Sequence, residues 1–396
     1  MSRFELLAPA GDLEKLKVAI LYGADAVFIG GLKFSLRSRA SNFTIDDIKE
    51  ACDFAHKNGA KIHVTCNIVM HNLDTDGILE YLKELENAGV DCIIASSLHI
   101  LKLVKKYTKM EAHVSTQAST ANQSAVALYE SLGMDRAVLA RELNIDEIRE
   151  VKKNSNIDIE AFIHGGMCVS YSGRCMLSNN MTNRDANRGG CAHSCRWCYD
   201  LVKDGNKYNP DGDYFAMSSK DLCAIPYITK LMDIGVDSFK IEGRMKSINY
   251  IATVVNAYRH LIDEYEQTGK VEDINKYINQ IKKGENRLTS IGFLNGDPTI
   301  NEQLYDLNLT VPTKEFIGIV KDYDEENQML IVEQRNYFEP NSIIEVFTPE
   351  KTFNIQIEEI YDLDGNVLDA ARHPLQMVKF KCKHHLKPYD LLRLGE

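Results

Sequence analysis

The chain has 396 residues, 44% of them apolar, and a formal net charge of −11. That length accommodates one large domain and a smaller one with a sizeable core. The acidic balance argues against a general polyanion binder, but not against a local basic site. No run of about 18 apolar residues suggests a membrane span, and the opening MSRFELLA lacks the form of a signal peptide, so a cytoplasmic protein without membrane association is expected.

The first 267 residues repeat one theme: a short apolar run, a turn, then an amphipathic helix. Strands are predicted at Glu5–Ala8, Ala26–Gly30, Lys61–Asn67, Asp91–Ala95, Glu111–Ser115, Arg136–Ala140, Asp158–Ile163 and Asp237–Ile241. Each is short and rich in Val, Ile, Phe or Ala, as buried parallel strands are. Between them, Thr44-x-x-Asp47 and Asn144-x-x-Glu147 have the form of capping boxes, and Gly23, Gly59, Gly89, Gly133 and Gly235 mark helix ends. Eight strands alternating with eight helices, the last near Ser247–Gln267, predict an α/β fold of the (β/α)8 TIM-like type. An open doubly wound sheet is the alternative, weakened because no G-x-G-x-x-G follows the first strand.

The connection after the seventh strand, from His164 to about Ser218, is very long, and in a barrel it lies on the carboxyl face where active sites are built. Ser218-x-x-Asp221 reads as a helix start, which would put Cys223 at or just inside a helix, with Pro226 blurring the boundary. A helical, Gly-containing connector over 268–308 follows. From 309 to 396 the texture becomes that of a small all-β barrel or sandwich, with strands at Phe316–Lys321, Met329–Gln334, Ser342–Phe347, Thr352–Glu358, Gln376–Cys382 and Leu391–Leu394.

Six of the ten cysteines fall between Cys168 and Cys223, spaced C-x6-C-x15-C-x3-C-x2-C-x24-C. In a reducing compartment such a group binds metal or does redox chemistry more often than it forms disulfides. Four thiolates are the usual shell of an iron–sulfur cluster, and ligation would order a loop that has no core of its own. The competing readings are an all-thiolate structural zinc site using Cys191, Cys195 and Cys198 with one more ligand, and plain thiols or a transient disulfide. A third is the C-x3-C-x2-C run of radical S-adenosylmethionine enzymes, which ordinarily follows the first strand rather than the seventh.

Strand ends place Asn67, Ser96, His113, Ser115, Gln117, Arg141, Glu142, His164, Glu242 and Arg244 on the expected active face. Of these His113, Gln117, Arg141, Glu242 and Arg244 are the candidate substrate-binding residues, the two arginines suiting a small carboxylate compound through planar bidentate contacts. Lys33, Arg37 and Arg39 follow strand two, and the cysteine loop adds Arg174, Arg184, Arg188 and Arg196. Arg37, Arg39, Arg188 and Arg196 are thus candidates for an RNA-binding rim, with Trp197 and Tyr199 as stacking faces. Solvated loop charge is the plainer alternative. A peptidase would need an activated nucleophile or a metal-bound water. Neither G-x-S-x-G nor H-E-x-x-H occurs, His384 and His385 fall in the β module, and Cys168 with His164 is the pairing to test.

The run Glu160-Ala-Phe-Ile-His-Gly-Gly-Met-Cys168-Val-Ser-Tyr-Ser-Gly-Arg-Cys175-Met-Leu-Ser178 resembles the signature of the collagenase-like peptidases of unknown catalytic type, family number thirty-two of that class. Further matches are Glu5-Leu-Leu-Ala-Pro-Ala-Gly-Asp12, Arg37-Ser-Arg39-Ala-Ser-Asn42-Phe43, Gly190-Cys191-x3-Cys195-Arg196-Trp197, Ser219-Lys-Asp-Leu222 and Lys240-Ile-Glu242-Gly-Arg244-Met-Lys246-Ser247. The resemblance spans the whole barrel, and the β module looks like one appended to some members. It implies hydroxylation of an RNA base, foremost the wobble uridine of transfer RNA, with prephenate as co-substrate and source of the hydroxyl group. It also implies an iron–sulfur cluster, 4Fe-4S in type, held by Cys168, Cys175, Cys191 and Cys223, with Cys195 a possible substitute and Cys198 outside the family pattern. The rival functions are a collagenase-like peptidase and a non-catalytic RNA-binding or assembly protein.

Overall fold

The computed structural model describes residues 3–36, 42–304 and 312–395. Eight parallel strands close into a barrel: β1 (Glu5–Pro9), β2 (Ala26–Gly30), β3 (Lys61–Thr65), β4 (Cys92–Ala95), β5 (Glu111–Val114), β6 (Arg136–Val138), β7 (Asp158–Gly165) and β8 (Ser238–Ile241). Each pairs with its neighbour in order, and β8 closes the ring by pairing with both β7 (Ser238 beside Glu160) and β1 (Glu5 beside Ser238). The predicted strands are all present, most of them a residue or two shorter than expected.

Helices alternate with the strands as the sequence predicts: α1 (Leu13–Leu21), α2 (Ile45–Lys57), α3 (Ile78–Asn87), α4 (Leu98–Tyr107), α5 (Gln123–Ser131) and α6 (Ile145–Lys153). Both expected capping boxes form. The Thr44 hydroxyl accepts from Asp47 N while Asp47 accepts from Thr44 N, and Asn144 and Glu147 repeat the exchange. Each box satisfies helix-terminal donors that otherwise lack partners. The helices press Leu16, Ile48, Leu82, Ile100 and their like onto the outward faces of the strands, Leu6, Val27, Ile62, Ile93 and Ala112, making the main core.

The barrel interior is unusually polar. Leu7, Phe28 and Ile94 share it with Glu5, His63, His113, Arg136, Glu160 and Lys240, all nearly sealed from solvent except the edge of Glu5. Arg136 bonds to Glu5 and, at 3.3 Å, to Glu160, whose other oxygen takes Lys240 Nζ at 2.8 Å. Buried charges persist only when paired in this way. Burial drives His63 down to about 3, so its imidazole is neutral.

Within the connection after β7 lies the short helix α7 (Leu177–Thr182). The helix expected to begin at Ser218 does not form. Residues Asp221–Cys223 are instead a strand that lies antiparallel to the end of β7, Cys223 opposite His164, and takes Thr289–Ser290 on its other edge. Asp221 is held there by Lys246 at 3.2 Å and Arg287 at 3.3 Å, which serves the carboxylate better than a helix N-terminus would. Only after a short turn at Ile225–Tyr227 does α8 (Ile228–Ile234) start. α9 (Ile248–Thr268) and α10 (Ile274–Lys282) complete the barrel's outer layer.

The C-terminal module is a separate antiparallel sheet. Its strand order is Thr352–Gln356, Ile343–Phe347, Leu391–Leu394, Phe316–Asp324, Met329–Gln334 and Met377–Lys381, with two short strands at the far edge. It has its own core, built on Ile317, Leu330, Val346, Phe380 and Leu392. It also docks firmly on the barrel. Arg393, fully buried, donates to Asn249 of α9 at 2.9 Å and to Thr253, and Tyr22 of the α1 end donates to the Phe347 carbonyl at 2.7 Å. Among the described residues no helix is long and apolar enough to cross a membrane.

Candidate active site at the carboxyl face of the barrel

Two glycines let the cysteine loop lie close on the barrel mouth. Gly165 ends β7 at φ +100°, and a Cβ there would come within 1.9 Å of the Glu242 carbonyl oxygen. Gly173, at φ +74°, would drive a Cβ to 2.2 Å from the Gln117 carbonyl oxygen. Only glycine allows that conformation and approach together. Around Gly173 the loop is bonded down: Ser172 N and hydroxyl donate to Glu142, Ser119 donates to the Ser172 carbonyl, and Arg174 reaches Ser119 at 3.3 Å. Farther on, Arg188 grips Asp74 with both terminal nitrogens and the Val69 carbonyl at 3.0 Å, while Asn187 donates to the Cys175 carbonyl at 2.9 Å. The side chains of Glu142 and Ser119 and the backbone of Gln117 thus serve as a platform for the thiol loop.

Four thiols gather over that platform. Burial raises Cys168, and the neighbouring Cys175 and Cys195 thiols raise it further. Burial likewise raises Cys195 against the pull of Arg196, with Cys191 and Cys175 adding to the rise. Cys223 has a different setting. It lies buried beneath the loop, opposite His164 in the strand register, while the Tyr258 hydroxyl donates to the Ile163 carbonyl at 2.9 Å and stands 3.3 Å from His164 Nδ1. Burial disfavours charge on His164, but Cys223 and Glu285, the latter 3.1 Å away, outweigh it and raise the imidazole to about 9. His164, the partner that a peptidase reading gives Cys168, is therefore set against Cys223.

The donor set suits soft metal chemistry. Among the described residues, no three loop cysteines bring their sulfurs within 4.8 Å of one another. Thiols gathered at one opening have the chemistry to hold an iron–sulfur cluster or a zinc ion.

Beside the loop, Arg141 lies 3.7 Å above the Phe162 ring, donates to the Gly166 carbonyl and approaches Glu242 at 3.6 Å. Its planar head is thereby fixed at the mouth, with Arg196 nearby over Gly166. Arg244 is also close but is buried and turned to structural use, donating to the Gly30 carbonyl at 3.3 Å and to Asn42 at 2.5 Å. Asn67 and Ser96 knit the adjoining loops through Leu36 N and the Asn67 and Ile68 carbonyls.

His113 is not at this face. Its ring is sealed inside the barrel and its Nε2 lies 3.0 Å from Glu111, at the amino end of β5. Its position on β5 is as predicted, but its side chain turns into the sealed barrel toward Glu111 rather than to the mouth. Arg37 and Arg39 lie outside the described residues. Sequence reasoning passed over Lys246, Asp221, Tyr258 and Glu285, which meet only through the fold, although Lys246 and Asp221 stand within the resembling motifs.

A closed parallel barrel with a thiol-bearing loop bonded over its carboxyl mouth and a docked β module defines an enzyme-like architecture in which fixed cations and sulfurs face one opening. The chain belongs to peptidase family U32: the model of that family matches residues 11–304, and the model of its C-terminal domain matches residues 312–393. It is 50% identical to a tRNA hydroxylation protein P1 of Bacillus subtilis (strain 168), over 99% of this chain and 95% of that one. It is 41% identical to a 23S rRNA 5-hydroxycytidine synthase of Escherichia coli (strain K12), over 66% of this chain and 39% of the other. It is 36% identical to a collagenase of Porphyromonas gingivalis, over 74% of this chain and 73% of that one. The solved C-terminal domain of a Geobacillus thermoleovorans U32 protein covers 21% of this chain and 93% of its own, at 52% identity and a TM-score of 0.20.

Proposed function

We propose that this protein hydroxylates an RNA base, namely the wobble uridine of transfer RNA, forming 5-hydroxyuridine with prephenate as the hydroxyl source. The observation that carries this reading is 50% identity to a tRNA hydroxylation protein over 99% of this chain and 95% of that one. Arg141, flattened on Phe162 and held by Gly166 and Glu242, places a fixed cation at the mouth toward which a carboxylate of prephenate would be drawn. Glu242 sets the in-plane direction of that guanidinium. Arg196 and the exposed Trp197, at the outer edge of the loop, suit a phosphate and an unstacked base. Arg188, committed to Asp74, acts instead by holding the loop.

Cys168, Cys175, Cys191 and Cys223 are the proposed ligands of a 4Fe-4S cluster, and Cys195 is the competitor for the last position. When bound, such a cluster supplies redox-active iron beside the mouth. The chain's own part is to fix the carboxylate, present the base and shield both from water beneath the loop. A peptidase would need a free nucleophile within reach of solvent. The thiol that His164 contacts is Cys223, and both are buried.

Nucleoside mass spectrometry of transfer RNA from a deletion strain tests the proposal. Loss of 5-hydroxyuridine derivatives, restored by the gene but not by an Arg141→Ala copy, is expected, with the same loss in a strain unable to make prephenate. Undiminished 5-hydroxyuridine in the deletion strain would overturn it.

A further inference from the structure

Inside the barrel, away from the cysteine loop, three adjacent strands turn His63, Cys92 and His113 toward one another. Their donor atoms all lie within 4.8 Å. His63 of β3 is the register partner of Cys92 at the start of β4, and His113 of β5 stands edge-on to His63 with ring centroids 5.2 Å apart. None of the three is exposed to solvent. Neither ring nitrogen of His63 has a hydrogen-bond partner, nor does Nδ1 of His113. Three buried polar atoms without partners in one spot are rare, because each costs about 1–3 kcal/mol.

The second nitrogen of His113 explains the orientation. Its Nε2 lies 3.0 Å from the Glu111 carboxylate, which makes Nε2 the protonated nitrogen and leaves the Nδ1 lone pair facing His63 and Cys92. A carboxylate behind an imidazole whose other nitrogen faces a cluster of donors is the usual outer support of a metal-bound histidine. The charges facing the trio can accept a cation: Glu5, Glu111 and Glu160 stand against Arg136 and Lys240, with Lys61 and Asp158 at the rim. Together they leave one negative charge in excess, which a divalent ion bound to one thiolate would cancel.

We propose that His63, Cys92 and His113 form a buried site for a divalent first-row transition-metal ion of the zinc type, bound through two imidazole nitrogens and one sulfur. Imidazole and thiolate select such ions over magnesium or calcium. Tetrahedral bonds of about 2.0–2.3 Å would draw the three donors in by roughly 1 Å, a movement within side-chain reach. The ion would tie β3, β4 and β5 together from within, and because the site is sealed it would load as the chain folds. The fourth position falls to water.

The test uses the full chain, purified anaerobically from cells grown with added zinc. Metal analysis should give about one zinc per chain beyond any iron, and X-ray absorption at the zinc edge should show one sulfur and two imidazoles. No zinc, or zinc in an all-sulfur shell of the kind the loop would make, overturns the proposal. Cys92→Ala, checked for fold by circular dichroism, should lose that zinc while keeping its iron and sulfide. Retained zinc in the folded variant also overturns it. If Cys92→Ala does not fold, the coordination shell of the unsubstituted protein decides alone.

Discussion

Lys240 Nζ stands 2.8 Å from Glu160 Oε1 in the sealed interior of the barrel, where β7 meets β8 and closes the ring. Arg136 holds the other oxygen at 3.3 Å. Burial pushes Glu160 up, but Lys240 and Arg136 together bring it below the ordinary carboxylate range. Replacing it with glutamine leaves two cations facing each other without their counter-ion. Glu160→Gln is expected to cost about 3–5 kcal/mol of stability, the usual penalty for breaking a buried pair on one side. Urea denaturation at neutral pH reads this directly. A loss of under about 1 kcal/mol would mean that the interior relaxes or admits water.

Glu5, at the amino end of the same cluster, gives the barrel a defined acid limb. Burial raises it, but His63 where it protonates in acid, the Arg136 charge, and the Arg136 and Ser238 hydrogen bonds lower it from 4.5 to about 2. The folded state therefore binds this proton less readily than the unfolded chain. Stability from Glu5 is present above pH 4.5 and is lost as pH falls toward 2. The shift corresponds to about 2–3 kcal/mol once partial exposure is allowed for. Stability curves of wild type and Glu5→Gln should differ by about that much at pH 6 and converge as the pH approaches 2. Parallel curves would assign the acid limb to other groups.

Most of the barrel was legible because buried parallel strands and capping boxes are local signals. Thr44 with Asp47 and Asn144 with Glu147 form as their spacing says, since a capping box needs only four consecutive residues. Ser218-x-x-Asp221 carried a similar helix-start signal and failed, because Asp221 found Lys246 and Arg287 instead of backbone N–H groups. Those partners lie 25 and 66 residues away, beyond any local pattern. The same distance hides the chemistry of the interior. His63 and His113 look like ordinary strand residues until the register sets Cys92 between them. The thiol loop was visible as composition, but the separation of Cys223, set opposite His164, from the Cys168, Cys175, Cys191 and Cys195 group required the fold.

The barrel and β module should unfold together because of Arg393. Its guanidinium is fully buried, stacks at 4.0 Å on Phe347, bonds across the boundary to Asn249 and Thr253, and pairs with Glu345 of its own module. Arg393→Ala removes the packing of the stem, two bonds to the barrel and one of the two cations on Glu345, the other being Lys283 at 2.9 Å, an expected loss of about 3–5 kcal/mol. Calorimetry of the variant should resolve two transitions where the wild type shows one. Arg393→Lys should rescue little, since an ammonium cannot reproduce the planar fork that serves three acceptors.

Serine substitutions in the loop separate the fourth iron ligand from its competitor. Cys168→Ser and Cys175→Ser should each reduce iron and sulfide in anaerobically purified protein by about tenfold, because a hydroxyl is a poor partner for iron in a sulfur shell. Cys223 lies buried against the end of β7, opposite His164, whose raised imidazole favours a neighbouring thiolate. Cys195 is half-buried beside Cys191 and Cys175 but carries Arg196 at its side. Cys223→Ser is therefore expected to match the loss in Cys168→Ser, and Cys195→Ser to keep its brown colour and most of its iron. The opposite pattern, with iron lost on changing Cys195 and retained on changing Cys223, would move the fourth position to Cys195 and leave Cys223 as a buried partner of His164. A colourless wild type holding zinc on the loop sulfurs would remove the cluster altogether, and with it the redox part of the proposed hydroxylation.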